Sequence, residues 1–245
     1  MPQNKNSRPT QEEFHEHKEL EKHKLDNPLR DVILGGQDGL VNALGIILGV
    51  SAATSDIKIL IATVLAASIA ESFSMGAVAY TSAMSQKDFY HSERAKEEKE
   101  IEEVPEMEKE ELRKIYEAKG LSGKVLDEVV DTISSNKNIW LNTMMAEELH
   151  IEPVNTNRVL KGSVIVTIAT FIGHMIPLLP FFFVAHFEGV IIAVVISGIT
   201  LFIVGAYQAY SLVGSWWKTG LKLLLIGLGA AAAGYIIALI FHTHA

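Results

Sequence analysis

Five apolar runs of about twenty residues or more constrain this chain more than anything else in it: residues 32–54, 57–84, 163–187, 189–212 and 220–241. A bilayer core offers no partner to a bare backbone N–H or C=O, so runs of that length are expected to cross as α-helices. Hydrophobic residues make up 49% of the chain and charged ones 20%, and the charges are clustered rather than spread. Of the 29 carboxylates, 18 lie between Asp88 and Glu152, wedged between the second and third runs. The expectation is an all-α integral membrane protein with five transmembrane helices per subunit and a helical, acidic, cytoplasmic domain inserted between spans two and three. Residues 1–29 would be a polar cytoplasmic tail, 30–87 the first two spans, 88–157 the acidic domain and 158–245 the last three spans.

Charge and cysteine content narrow the function classes. The formal charge of −8 argues against a nucleic-acid partner, because that binding displaces counterions with basic surface. The absence of cysteine leaves no thiolate site, so any metal must use oxygen, nitrogen or thioether ligands. Residues 1–29 lack an apolar core of the kind a secretory signal carries, and read as a retained tail. Lys18, Lys22, Lys24 and Arg30 before the first run, and Lys218 and Lys222 between the fourth and fifth, place the N-terminus and the acidic block on the cytoplasmic side. Trp216 and Trp217 read as an interface anchor for that last turn.

A charge at bilayer depth is costly and is usually kept for a pathway or a partner, which singles out Asp38 and Glu71. Gly35, Asp38, Gly39, Asn42, Gly45 and Gly49 share one helical face about 120° wide, at roughly 100° per residue, so that face can approach another helix closely while presenting Asp38. Glu71, Met75, Val78 and Ser82 follow one line along the second span and stack a carboxylate, a thioether and a hydroxyl. A thioether beside carboxylates suits Fe²⁺ or Mn²⁺ better than Mg²⁺ or Ca²⁺, although a lone membrane methionine also serves as plain packing.

Within the acidic block, Glu93, Glu97 and Glu100 fall on one face of a helix expected to continue from span two. Glu108 and Glu111 form another pair after Pro105, a good first residue for a helix. Like charges at this spacing repel, and a bound cation relieves them; interspersed Lys96, Lys99 and Lys109 allow the plainer reading of a solvated acidic helix. Ser122 is expected to cap a run through Leu126, Val129, Val130 and Ile133 that supplies a small core, and Met144, Met145 and Glu148 follow within one or two turns.

Two rival readings come from other classes. Glu147-x-x-His150 has the spacing of a di-iron carboxylate bundle, which suggests a membrane-anchored ferroxidase, but its only sequence partner, Glu12-x-x-His15, lies in the tail. A metal-buffering anchor without a path would leave Asp38 and Glu71 unexplained. Gly120-Leu121-Ser122-Gly123-Lys124-Val125 lacks the spacing and the hydroxyl residue of a phosphate-binding loop. His15, His17 and His23 read as a solvated tail or a loose metal lure, His174 as a proton sensor or an interhelical hydrogen bond, and His242 and His244 carry no signal.

Taken together, these residues resemble the vacuolar iron transporter family. The resemblance rests on Gly35-Gly36-Gln37-Asp38-Gly39-Leu40-Val41-Asn42, on Glu71-Ser72-Phe73-Ser74-Met75-Gly76, on Pro177-Leu178-Leu179-Pro180, and on the acidic insertion. It covers nearly the whole chain after residue 28. It implies a metal-binding set of Glu97, Glu100, Glu108, Glu111, Met144, Met145 and Glu148, and a transport path lined by Asp38, Asn42, Glu71 and Met75. It further implies a homodimer, with the path along the dimer interface, that exports Fe²⁺, with Mn²⁺ as an alternative cargo, from the cytosol in exchange for protons. No permanent cofactor is implied, with Fe²⁺ acting as both cargo and regulatory ion. The membrane would be the cytoplasmic one in a prokaryote and a vacuole-like one in a eukaryote. In one departure, the chain reads Val78-Ala79-Tyr80 where the family often has Gly-Glu-Tyr, so a carboxylate is missing at Ala79.

Overall fold

The computed structural model describes residue 11, residues 28–212 and residues 214–242. The tail histidines His15, His17 and His23, the Glu12/His15 pair and His244 lie outside the described residues. The described chain forms α1 (Leu29–Ala53), α2 (Ile57–Glu103), α3 (Pro105–Ala118), α4 (Gly123–Ser134), α5 (Lys137–Glu147), α6 (Thr156–Leu178), a 3₁₀ turn (Leu179–Phe182), α7 (His186–Leu212) and α8 (Trp216–His242). Five of these segments are long and apolar enough to cross a membrane: α1, α2, α6 with its 3₁₀ turn, α7 and α8. The all-helical expectation therefore holds. The chain divides into two compact units, one made of residues up to Ala77 with those from Gly162 onward, the other of Val78–Lys161.

Helix boundaries follow local chemistry. α1 stops where Thr54 turns extended, and Asp56 starts α2 by accepting the Lys58 amide at 2.8 Å. α2 then runs for 47 residues, as the expected continuation beyond span two requires. It ends at Val104, because the residue before a proline is pushed out of the helical region, and Pro105 opens α3. Asn136 caps α5 by accepting from the amides of Asn138 and Ile139. Ser122 does stand extended at the head of α4, yet its hydroxyl makes no capping bond; the chain enters this helix through Gly120 and Gly123, both at positive φ. Span three is not one helix through residue 187: Pro177 and Pro180 bring α6 to an end at Leu178 and tighten the next four residues into the 3₁₀ turn.

In the apolar unit, Ala43, Leu44 and Ile47 of α1 pack with Leu60 and Val64 of α2, Leu178, Phe181, Ala193 and Ala231. Large apolar side chains such as Phe73, Phe187 and Phe241 face outward, as a lipid-solvated surface allows. The glycine face of α1 is used within the chain. A Cβ on Gly35 would lie 2.5 Å from the Val166 carbonyl oxygen, and one on Gly39 would run into the Thr170 carbonyl and sit 2.7 Å from His174 Nδ1. Those two glycines allow α6 to approach α1 at backbone distance.

In the other unit, Ile101, Leu112, Leu126, Val130, Trp140, Leu141, Met144 and Met145 form the core. Leu126 and Val130 take the core positions expected of them, and Ile133 packs at the margin.

Candidate metal centres

α2, α3 and the end of α5 bring three carboxylates of the acidic unit together. One oxygen each from Glu97, Glu108 and Glu148 lie within 4.8 Å of one another, a spacing at which one cation can touch all three. Glu97 and Glu108 are buried at 3% and 5% exposure, while Glu148 opens to solvent. Glu97 Oε1 and Glu108 Oε2 are buried without a hydrogen-bond partner, which a native fold seldom tolerates unless an ion or water fills the place.

Protonation reflects the same crowding. Burial, and after it the neighbouring Glu108 carboxyl, pushes Glu97 up to about 8. Burial also raises Glu108, opposed by its hydrogen bond with Glu97 and reinforced by the charges of Glu111 and Glu100. Glu148 is pushed up to about 6 by burial and then by the charges of Glu111, Glu108 and Glu100. Glu100 and Glu111 thus border the trio electrostatically. Met144 and Met145 are fully buried in the apolar core of the same unit.

The lysines that suggested a merely solvated acidic helix go elsewhere. Lys96 pairs with Glu93, Lys99 with Glu103, Lys109 with Glu106, Lys119 with Glu147, and Lys137 with both Glu98 and Glu102. Among the described residues, no such ion pair includes Glu97, Glu100, Glu108, Glu111 or Glu148. The block is therefore divided into neutralised carboxylates and an unneutralised set.

In the apolar unit, Glu71 of α2 is held from two sides. The Asn42 amide of α1 donates to Glu71 Oε1, and His174 Nε2 of α6 lies 3.0 Å from Glu71 Oε2. The His174 ring is fully buried, and its Nδ1 is 2.9 Å from the Thr170 carbonyl oxygen. Asp38 stands against Glu71 and within electrostatic range of His174. Met75, one turn after Glu71, is half-buried, whereas Val78 and Ser82, next on the same line, are exposed. Asp38, Asn42 and Glu71 thus share one polar locus.

His174 is the residue whose part in this locus the sequence left open. Thr170 and His174 lie one turn apart on α6, opposite Gly39, and the one signal in the sequence was a histidine within an apolar run. The Glu147-x-x-His150 spacing forms no comparable centre: Glu147 pairs with Lys119, and His150, at φ 53°, turns its Nδ1 toward the Ala146 carbonyl at 3.2 Å.

Comparison with known proteins identifies the family. The VIT family model matches residues 29–239. The chain is 32% identical to vacuolar iron transporter 1 of Arabidopsis thaliana over 211 residues, covering 86% of this chain and 84% of the relative. It is 32% identical to the vacuolar iron transporter of Plasmodium falciparum over 200 residues, covering 77% and 73%. It is also 35% identical to vacuolar iron transporter 2 of rice over 156 residues, covering 64% and 63%. With its family match running from the start of α1 almost to the end of α8, the chain belongs to the VIT family.

Proposed function

We propose that this protein is a secondary transporter that exports Fe²⁺, with Mn²⁺ as an alternative cargo, from the cytosol in exchange for protons. The observation that carries the reading is the Asp38–Glu71 locus among helices otherwise apolar enough to span a bilayer, in a chain whose relatives are named iron transporters. The acidic unit stands in the cytosol between spans two and three, where Glu97, Glu100, Glu108, Glu111 and Glu148 collect the ion, with Met144 and Met145 as softer donors. The ion then passes along Asp38, Asn42, Glu71 and Met75. Carboxylates bind either a metal or a proton, so competition at one site is enough to couple the two flows, and no nucleotide is needed. Two copies related by a two-fold axis would double each ligand and close a cage that one chain leaves partial. The ferroxidase alternative is disfavoured, since Glu147 and His150 are both engaged elsewhere. Metal flux into proteoliposomes, followed together with internal pH, tests the proposal.

A further inference from the structure

His174 belongs to no motif that carries the family resemblance, yet among the described residues it is the most completely enclosed titratable side chain of the apolar unit, and its two ring nitrogens have separate partners. A backbone carbonyl can only accept, so the 2.9 Å contact with the Thr170 oxygen places a hydrogen on Nδ1. In the neutral ring this leaves the lone pair on Nε2, and at 3.0 Å from Glu71 Oε2 the two acceptors need a proton or a cation between them. An imidazole whose Nδ1–H is tied to a backbone carbonyl is the arrangement by which proteins fix the ring and present Nε2 to a metal ion.

Distances support the same use. Two ligand atoms each about 2.1 Å from one ion and roughly at right angles are about 3.0 Å apart. Nε2 and Oε2 are separated by 3.0 Å. The Asn42 amide fixes the other oxygen of Glu71, and Asp38 brings a second carboxylate to the same place. The fold also makes room for the ring: a Cβ on Gly39 would lie 2.7 Å from Nδ1.

We propose that His174 Nε2 is a ligand for the transported cation, paired with Glu71 as a mixed nitrogen and carboxylate site inside the apolar unit. The inference rests on the transport reading and adds to it a residue and a selectivity. An imidazole favours the later first-row ions over Mn²⁺, and favours all of these over Mg²⁺ and Ca²⁺. Replacing it by an amide keeps a polar group beside Glu71 but removes the nitrogen donor.

Uptake of Co²⁺ and Mn²⁺ into proteoliposomes by the native chain and by His174→Gln tests this. The variant is expected to raise KM for Co²⁺ roughly tenfold and that for Mn²⁺ less than about threefold, so that preference between the ions collapses. A variant that keeps the native Co²⁺ KM, or that weakens both ions equally, overturns the ligand role while leaving the transport reading standing. A native chain that moves Fe²⁺ but not Co²⁺ overturns the ligand role alone, and one that moves none of the three ions overturns both. A second measurement uses a chain in which His174 is the only histidine, loaded with Mn²⁺. Nitrogen coupling in pulsed EPR is expected, and its absence overturns the inference.

Discussion

Glu97 and Glu108, from different helices, meet with carboxylate oxygens within 4.8 Å of each other and of Glu148, and each carries a buried oxygen without a partner. Two buried carboxyls facing each other are unfavourable in a folded domain unless something positive completes them.

Removing one of the two should weaken metal binding and spare the fold. Glu97→Gln is expected to lower Mn²⁺ affinity at the acidic unit by roughly 10–100-fold, in the range seen when a metal site loses a supporting group. Without metal at pH 7, the variant should be about as stable as the native chain, because Glu97 is already largely protonated there and a neutral amide replaces a neutral carboxyl; above about 8 it should be the more stable, because the buried charge has gone. Glu103→Gln, which removes an exposed partner of Lys99, should change neither. Calorimetric titration of the full-length protein in detergent, with thermal melts beside it, checks all three.

Acidity has a defined sign here. Glu97 holds its proton up to about 8 in the folded state, against an ordinary value of 4.5. The folded chain therefore binds more protons than the unfolded one between those values, and the stability contributed by this group is complete below about 4.5 and lost as the pH rises through about 8. Metal-free acidic units should loosen as the pH climbs through that window, and Mn²⁺ should reverse the trend. The buried Trp140 reports it by fluorescence in a chain carrying Trp216→Phe and Trp217→Phe.

Metal uptake by the same cluster should release protons. At pH 7 Glu97 is largely protonated and Glu148, raised only to about 6, is largely ionised. Mn²⁺ binding in weak buffer at pH 7 is expected to acidify the solution by about one proton per cluster, and Glu97→Gln should remove most of that signal.

Glycine positions on α1 separate close packing from mere smallness. Gly39→Ala would drive a methyl into the Thr170 carbonyl and the His174 ring, and should destabilise the apolar unit by at least about 2 kcal/mol and abolish transport. Mn²⁺ binding at Glu97, Glu108 and Glu148 should survive it. At Gly45 a Cβ would meet nothing within 4 Å, so Gly45→Ala should leave the single chain intact. Melting curves and metal titration of the two variants give the comparison.

Much of this was legible in the residues, and the exceptions have separate causes. Run length and hydrophobicity marked all five long helices, and the spacing of Glu97, Glu100, Glu108 and Glu111 marked the acidic face. Spacing within a helix cannot tell which carboxylates the lysines neutralise, since Lys137 reaches Glu98 and Glu102 from 39 and 35 positions away. Nor does it reveal that His174 meets Glu71 across 103 positions. The end of α6 at Leu178 was written in Pro177 and Pro180, but the apolar run continues past them and hid it. Ser122 shows the opposite failure: the residue type and backbone suit a cap, and the hydroxyl makes no such bond.

The central claim is that metal and proton compete for carboxylates inside the apolar unit. It is tested most directly by following Fe²⁺ uptake and internal pH together in proteoliposomes with an acidic interior, for the native chain and for Asp38→Asn. The account predicts Fe²⁺ entry with alkalinisation of the interior in the native chain, and loss of both signals together in the variant. Fe²⁺ entry with no change in internal pH, or an Asp38→Asn chain that still moves both, would contradict it.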